Sequence, residues 1–126
     1  MNQYDHTRAA FRFLQLADTL TIEQDKLARS EMLWCAAAHI VKAIAVQREW
    51  DNDRHEEIFD AARKIHGAIG YPDTISDFYN ADNLHRNMYR GSMSEAGIRE
   101  AEGKVRRFVN RVADAVNNYQ SPNNTP

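Results

Sequence analysis

The densest group of side chains able to do chemistry lies in residues 80–91, which read Asn-Ala-Asp-Asn-Leu-His-Arg-Asn-Met-Tyr-Arg-Gly. Residues three or four apart share a helix face, so Asp82, His85 and Tyr89 are predicted to lie together. An imidazole beside a carboxylate has the parts for general acid–base catalysis near neutral pH. The competing interpretation is structural: His85 lies in the core of the protein, hydrogen-bonded to a neighbouring helix, and Asp82 fixes the orientation of its ring.

Two arginines, Arg86 and Arg90, fall on the neighbouring strip of the same predicted helix. They begin a basic segment, residues 86–111, that carries seven basic and three acidic side chains, whereas the whole chain has a net charge of −2. A local positive field of this kind can attract phosphate groups. The alternative is an ordinary solvated helix face.

A second histidine, His39, interrupts the longest nearly apolar run of the chain, residues 33–46, with Lys42 three residues further on. A polar group inside a buried helix needs a hydrogen-bond partner. The sequence predicts that His39 bonds to His85 or Tyr89 across the helix interface. A purely structural role for His39 is the competing interpretation.

Several classes of protein are excluded by what the 126 residues lack. No Glu-x-x-His pair occurs, and Asp82 with His85 forms only half of a di-iron pattern. There is no glycine-rich phosphate loop and no Gly-x-Ser-x-Gly elbow. The single cysteine, Cys35, excludes a disulfide scaffold and a cysteine-based zinc finger. We therefore expect neither a metal site nor a cofactor.

Few glycines and prolines, many alanines and recurring apolar residues at spacings of three and four indicate five helices. The first covers residues 4–20 and the second residues 23–48. The third begins at Asp53, with Glu56 completing a capping box, and ends at Gly70. The fourth is capped by Asp73 or Thr74 and ends at Gly91; Ser94 caps the fifth. The predicted core stripe of the fourth helix consists of Ile75, Phe78, Ala81, His85 and Met88.

Amphipathic helices joined by short turns are typical of an all-α protein, here an antiparallel up-and-down four-helix bundle with one additional helix. Residues 1–118 are predicted to form a single domain, and residues 119–126 a disordered tail. The chain shows no secretory signal, and its longest apolar run is too short to cross a bilayer. We expect a cytoplasmic protein without a membrane partner. The modest apolar content favours a homodimer.

Two segments resemble the HEPN family, in particular its small stand-alone members. They are residues 30–45, which contain Leu-Trp-x-Ala-x-x-His-x-x-Lys-Ala, and residues 84–89, which read Leu-His-Arg-Asn-Met-Tyr. The resemblance covers about residues 5–117. It implies an antiparallel four-helix bundle with a short extra helix, usually dimeric. The family contains metal-independent ribonucleases, often toxins paired with a nucleotidyltransferase antitoxin, and inactive members proposed to bind nucleotides, RNA or partner proteins.

The chain departs from the family's catalytic motif, in which four to six residues separate an arginine from the histidine. If His85 is matched to that histidine, Asn80 stands where the arginine belongs, and asparagine supplies no permanent positive charge. A literal match, Arg48 with His55, falls in the predicted turn between the second and third helices. About one such match is expected by chance, so it carries little weight.

The resemblance implies an RNA- or nucleotide-associated role. For a ribonuclease, we expect His85 to act as the base on the 2′-hydroxyl, Arg86 or Arg90 to stabilise the phosphorane, and Asn80 and Asn87 to position the phosphate. The predicted binding residues are Asn87, Tyr89, Arg90, His39 and Asp82. The alternative is a non-enzymatic dimeric interaction module, such as the partner-binding subunit of a nucleotidyltransferase system, in which His85, Asn87 and Tyr89 are structural. If His85 is fully buried and its nitrogens bond only to protein groups, the ribonuclease hypothesis fails. If His85 opens onto a groove across a dimer with Arg86 close by, the interaction-module hypothesis is weakened.

Overall fold

The computed structural model describes residues 1–120. In this range the chain forms five α-helices: α1 (Gln3–Asp18), α2 (Ile22–Arg48), α3 (His55–Ile69), α4 (Thr74–Arg90) and α5 (Glu95–Asn117). The same residues contain no strand, so the predicted all-α class is confirmed. No helix within residues 1–120 combines the length and the apolar content that crossing a bilayer requires. Most of the predicted tail, residues 121–126, lies outside the described residues.

Helix α2 is the centre of the molecule and packs against each of the other four helices. Apolar side chains on most sides of residues 33–45 are buried, including Leu33, Ile40, Val41 and Ile44. Burial on most sides explains why this segment reads as a nearly continuous apolar run. The face of α2 that carries Glu31 and Trp34 turns toward α4.

Side-chain pairings between helices fix the direction in which each one runs. Ser30 and Trp34 of α2 meet Asn87 and Phe78 of α4, so the two helices are antiparallel. Helices α4 and α5 are antiparallel by the same argument, since Asp73 meets Arg111 and Asp77 meets Arg107. In α1 and α2, His6 meets His39, and the chain near Leu20 meets Arg29. Helices α1, α2, α4 and α5 therefore alternate in direction, and α3 is the additional helix.

Glycines end two helices as predicted: Gly70 after α3 and Gly91 after α4 adopt the left-handed conformation, with φ of 76° and 62°. Ser94 caps α5 through the backbone N–H of Gly97, also as predicted. The capping box predicted for α3 is shifted by one residue. The helix begins at His55, and the carboxylate of Glu57, not that of Glu56, accepts the capping hydrogen bonds.

The buried face of α4 differs from the predicted core stripe and includes polar residues. The buried residues are Thr74, Asp77, Phe78, Ala81, Leu84 and Asn87, whereas Ile75, His85 and Met88 are only half-buried. The physical reason lies on the neighbouring helices, which give Asp77 and Asn87 partners and so allow them into the core. His85 consequently lies at the edge of the core.

Two ion pairs tie the bundle together. Arg29 of α2 forms a two-pronged pair with Glu102 of α5 at 2.8 and 2.9 Å, and also donates to the carbonyls of Ala17 and Leu20 at the end of α1. Asp77 of α4 is 1% exposed and accepts two hydrogen bonds from Arg107 of α5, at 2.6 and 2.8 Å. Because a buried charge without a partner is costly, these pairs fix the register of the helices.

Candidate functional site

His85 lies against α2, in a shallow position between the core and solvent. Its Nδ1 is 2.9 Å from a carboxylate oxygen of Glu31, and its ring stacks on that of Trp34 at a centroid distance of 4.8 Å. The ring of Tyr89 meets it edge-on at 5.5 Å. The side chain of His85 is 22% exposed, so it is neither sealed in the core nor free.

The expectation that Asp82 orients His85 is wrong, because Glu31 on α2 does so. A carboxylate that accepts the Nδ1–H bond fixes the neutral ring with Nε2 as the unprotonated nitrogen. Within residues 1–120, Nε2 of His85 has no hydrogen-bond partner. In the neutral ring this nitrogen is therefore an open hydrogen-bond acceptor.

A second imidazole that sequence reasoning left aside, His55, lies beside this site. Its ring is 5.9 Å from that of His85 and 5.5 Å from that of Trp34. Its Nε2 is 4.0 Å from a carboxylate oxygen of Asp82, and its side chain is 56% exposed. We call this set the histidine face: Glu31, Trp34, His55, Asp82, His85 and Tyr89.

The connection between α2 and α3 explains how His55 reaches this position. Glu49 ends α2 in a left-handed conformation, with φ of 63°. The ammonium group of Lys42 donates to the carbonyl of Asn52 at 2.6 Å, which holds the connection beside α2. His55, the first residue of α3, therefore lies level with Trp34, well before the end of α2. No local sequence pattern reports this reversal.

Aromatic side chains form the apolar base of the histidine face. Phe59 packs against His55 at 4.9 Å and edge-on against Phe78 at 5.0 Å, and Trp34 contacts both phenylalanines. Trp34 itself is buried. These aromatic side chains support both imidazole rings on the side that faces the core, and the outer edges of the rings stay accessible.

Arg86 and Arg90 border the histidine face on the outer side of α4. The guanidinium group of Arg86 lies 3.1 Å from the Asp82 carboxylate and donates to the side-chain oxygen of Asn83 at 2.6 Å. Asp82 thus lies between Arg86 and His55. Arg90 forms no ion pair within the part of the chain that the structure describes.

The two asparagines predicted to position phosphate differ in setting. The amide of Asn80 donates back to the carbonyl of Ser76 within α4. Asn87 is buried: it donates to the Ser30 hydroxyl at 3.1 Å and accepts from the backbone N–H of Met93 at 2.9 Å. Asn87 therefore joins α4 to α2 and to the segment that follows Gly91, and its amide faces protein groups.

The predicted bond from His39 to His85 or Tyr89 is wrong. Nδ1 of His39 lies 3.0 Å from Nδ1 of His6 on α1, and Phe13 stacks on the His39 ring at 5.5 Å. Burial lowers the pKa of both imidazoles, and the nearby Lys42 ammonium lowers it further. Helix α1 covers this side of α2, which is why His39 belongs to a separate pair.

The basic segment 86–111 does not form a continuous positive surface. Acidic side chains from other helices neutralise much of it: Arg99 pairs with Glu23, Arg106 with Asp18, Arg107 with Asp77, and Arg111 with Asp73. Near the site, Arg86 pairs with Asp82 of its own helix, and Arg90 forms no ion pair within residues 1–120.

Residues 1–120 contain no cluster of three or more His, Cys, Asp or Glu side chains that can hold a metal ion. Burial, and then the charge of Glu31, raise the pKa of the Cys35 thiol to about 11. Cys35 is therefore protonated near neutral pH and is a poor nucleophile.

A family model described as the Archaeal PaREP1/PaREP8 family matches residues 5–109, which include the whole histidine face. Neither a curated protein nor a solved structure gives a match.

Proposed function

We propose that this chain, which belongs to the archaeal PaREP1/PaREP8 family, cleaves single-stranded RNA without a metal ion at the histidine face. The observation that carries the proposal is the juxtaposition of two imidazoles 5.9 Å apart, His55 and His85, each near its own carboxylate. Cleavage of a phosphodiester by the neighbouring 2′-hydroxyl needs one base and one acid close together. Two histidines at a solvent-accessible edge meet that need.

His85 takes the role of the base. Glu31 holds its Nδ1, so Nε2 removes the proton from the ribose 2′-hydroxyl, and the 2′-oxygen then attacks phosphorus. His55 takes the role of the acid. Asp82 faces its Nε2, which leaves Nδ1 to give a proton to the departing 5′-oxygen. The products are a 2′,3′-cyclic phosphate and a free 5′-hydroxyl, and the two histidines exchange protonation states.

The negative charge of the phosphorane needs a cation that stays charged, and Arg86 supplies it. Its guanidinium shares the Asp82 carboxylate with His55, so it lies on the same side of the face. In this role Arg86 replaces the arginine of the HEPN motif, whose position Asn80 occupies here. The resemblance to the HEPN family supports the metal-independent chemistry, a cytoplasmic homodimer and a toxin-like role.

The test is incubation of the purified protein with a single-stranded RNA in buffer containing a chelator. The expected products carry 2′,3′-cyclic phosphate and 5′-hydroxyl ends, and an otherwise identical strand with deoxyribose at the cleaved position stays intact. Cleavage of the deoxyribose strand, or cleavage that stops when the chelator is added, contradicts the mechanism. Intact RNA after incubation contradicts the function.

The exposed aromatic side chains of α4 favour a second candidate function, that of a non-enzymatic dimeric module. Tyr89 is 73% exposed and Tyr79 is also exposed, and large exposed aromatic residues are enriched at protein interfaces. A nucleotidyltransferase-type subunit is the partner implied by the resemblance. Sedimentation analysis of wild type and Tyr89→Ser tests this alternative: it expects a dimer that the substitution weakens and RNA that stays uncut.

A further inference from the structure

The end of α4 borders a depression of about 250 Å³ next to the histidine face. Five of its six lining residues are polar, two of them arginines and none acidic: Asn83, Arg86, Asn87, Arg90, Ser92 and Met93. The Asn83 amide and the Ser92 hydroxyl carry hydrogen-bond donors that suit a small oxyanion, whereas the Asn87 amide is already held by Ser30 and Met93. A lining with this composition is complementary to a negatively charged ligand.

Of the two guanidinium groups that line the depression, that of Arg86 pairs with Asp82, whereas that of Arg90 forms no ion pair within residues 1–120. Arg86 and Arg90 are one helical turn apart, an arrangement in which like charges repel. Within residues 1–120, Arg90 forms no ion pair, whereas each of the remaining cations of segment 86–111 pairs with a carboxylate. An anion beside Arg90 supplies the opposite charge that this guanidinium lacks, and Arg86 lies one helical turn away in the same lining. A phosphate oxygen pair also matches the fork of donors that arginine presents.

The wall of the depression is held in place by buried hydrogen bonds. Gly91 turns the chain in the left-handed conformation, and the side-chain oxygen of Asn87 then accepts from the backbone N–H of Met93. The other end of the Asn87 amide is fixed by Ser30 on α2. The segment after α4 is therefore positioned before any ligand arrives, so binding there costs little ordering of the chain.

We infer that this depression, named here the arginine subsite, binds an RNA phosphate adjacent to the one that is cleaved. Arg86 connects the two locations, since it lines the subsite and also pairs with Asp82, which faces His55. A strand cleaved between the histidines thus places a neighbouring phosphodiester beside Arg90. The inference rests on the proposed function for the identity of the ligand, whereas the subsite itself rests on the geometry described above.

The experiment measures binding of uncleavable 2′-O-methyl RNA, so that binding and cleavage are read separately. The ligands are a dinucleotide with one phosphate and a trinucleotide with two, and the variants are Arg90→Gln and the control Arg12→Gln. Arg12 lies exposed on α1 and loses the same charge. We expect wild type and Arg12→Gln to bind the trinucleotide more tightly than the dinucleotide. In Arg90→Gln, the ratio of the two affinities should fall about tenfold.

Equal affinities of wild type and Arg90→Gln for the trinucleotide overturn the arginine subsite. This result is distinct from failure of the proposed function, because the subsite test does not depend on catalysis. If Arg90→Gln weakens the trinucleotide selectively while wild type leaves ordinary RNA intact, the subsite holds and the cleavage proposal fails. The salt dependence gives a second readout: losing one phosphate contact reduces the slope of log affinity against log salt by about 0.7 for a single strand.

Discussion

The imidazole rings of His55 and His85 lie 5.9 Å apart, although one begins α3 and the other lies in the middle of α4. Both rings rest against Trp34 of α2, at 5.5 and 4.8 Å. A buried tryptophan with two histidines on its outer side places both imidazoles at the same edge of the bundle. The carboxylates of Glu31 and Asp82 complete the arrangement, one near each ring.

Glu31 is expected to matter for turnover and not for folding. Glu31→Ala removes the acceptor that holds Nδ1 of His85, so the ring loses its fixed tautomer and orientation. In metal sites, loss of a group that orients a histidine costs about 10–100-fold in activity, and we expect a loss of similar size here. Single-turnover cleavage should show a loss of about this size, and thermal unfolding should show a nearly unchanged midpoint. Rescue by Glu31→Gln, whose amide oxygen can still accept the bond, separates orientation from charge. Full activity of Glu31→Ala contradicts this role.

The His6–His39 pair predicts a loss of stability in weakly acidic solution. Burial lowers the pKa of both imidazoles below the ordinary value of 6.5, so between the two values the unfolded chain binds more protons than the folded chain. The contribution of these two neutral imidazoles to the free energy of unfolding is therefore fully present above pH 6.5. It is lost as the pH falls toward their lowered pKa values. The charges of His39, Lys42 and the N-terminal amine, in that order, lower the pKa of His6 further, and Asp5 opposes them.

Urea unfolding between pH 8 and pH 5 measures this dependence. The double variant His6→Gln with His39→Gln removes both titrating groups, so its free energy of unfolding should decline less over the same range. A decline as steep as that of wild type shows that other groups cause it.

The Asp77–Arg107 pair predicts an asymmetry between two arginine substitutions on α5. Arg107→Ala leaves the carboxylate of Asp77, 1% exposed, without its partner, and should reduce the free energy of unfolding by about 3 kcal/mol. Arg99→Ala is the control, because both members of its pair with Glu23 are 60% exposed. Exposed pairs contribute at most about 1 kcal/mol. Equal losses for the two variants, measured by denaturant unfolding, rule out the structural importance given to Asp77.

Helix boundaries could be predicted from the sequence because local chemistry determines them. Gly70, Gly91 and Ser94 act through the conformation and hydrogen bonds of their own turn. The same locality explains why the bundle class could be predicted from apolar spacing alone. It also explains why side-chain contacts between helices could not be predicted, since each of these signals extends over only one helical turn.

The candidate site could be predicted only in part, because its partners come from distant segments. Sequence spacing pointed to His85 and to Asp82 as its neighbour, yet Glu31 from α2 holds the ring. His55 was not predicted because its position depends on the left-handed Glu49 and on Lys42, which bring the connection back along α2. The burial of Asn87 likewise follows from Ser30 on another helix. Helix packing decides such pairings, and no local pattern encodes it.

The most direct test of the account is the rate of RNA cleavage by His55→Ala, His85→Ala and the double variant, in buffer with a chelator. His66→Gln is the matched control, since His66 lies outside the histidine face and its bond to the backbone N–H of Ile75 can be made by glutamine. General acid–base groups contribute about 10²–10⁴-fold each, and groups that act as a unit are not additive. We predict a loss of at least about 100-fold in each single variant, little further loss in the double variant and an unchanged rate in the control. Single variants that cleave RNA at the wild-type rate, or a wild type that does not cleave it, would contradict the account.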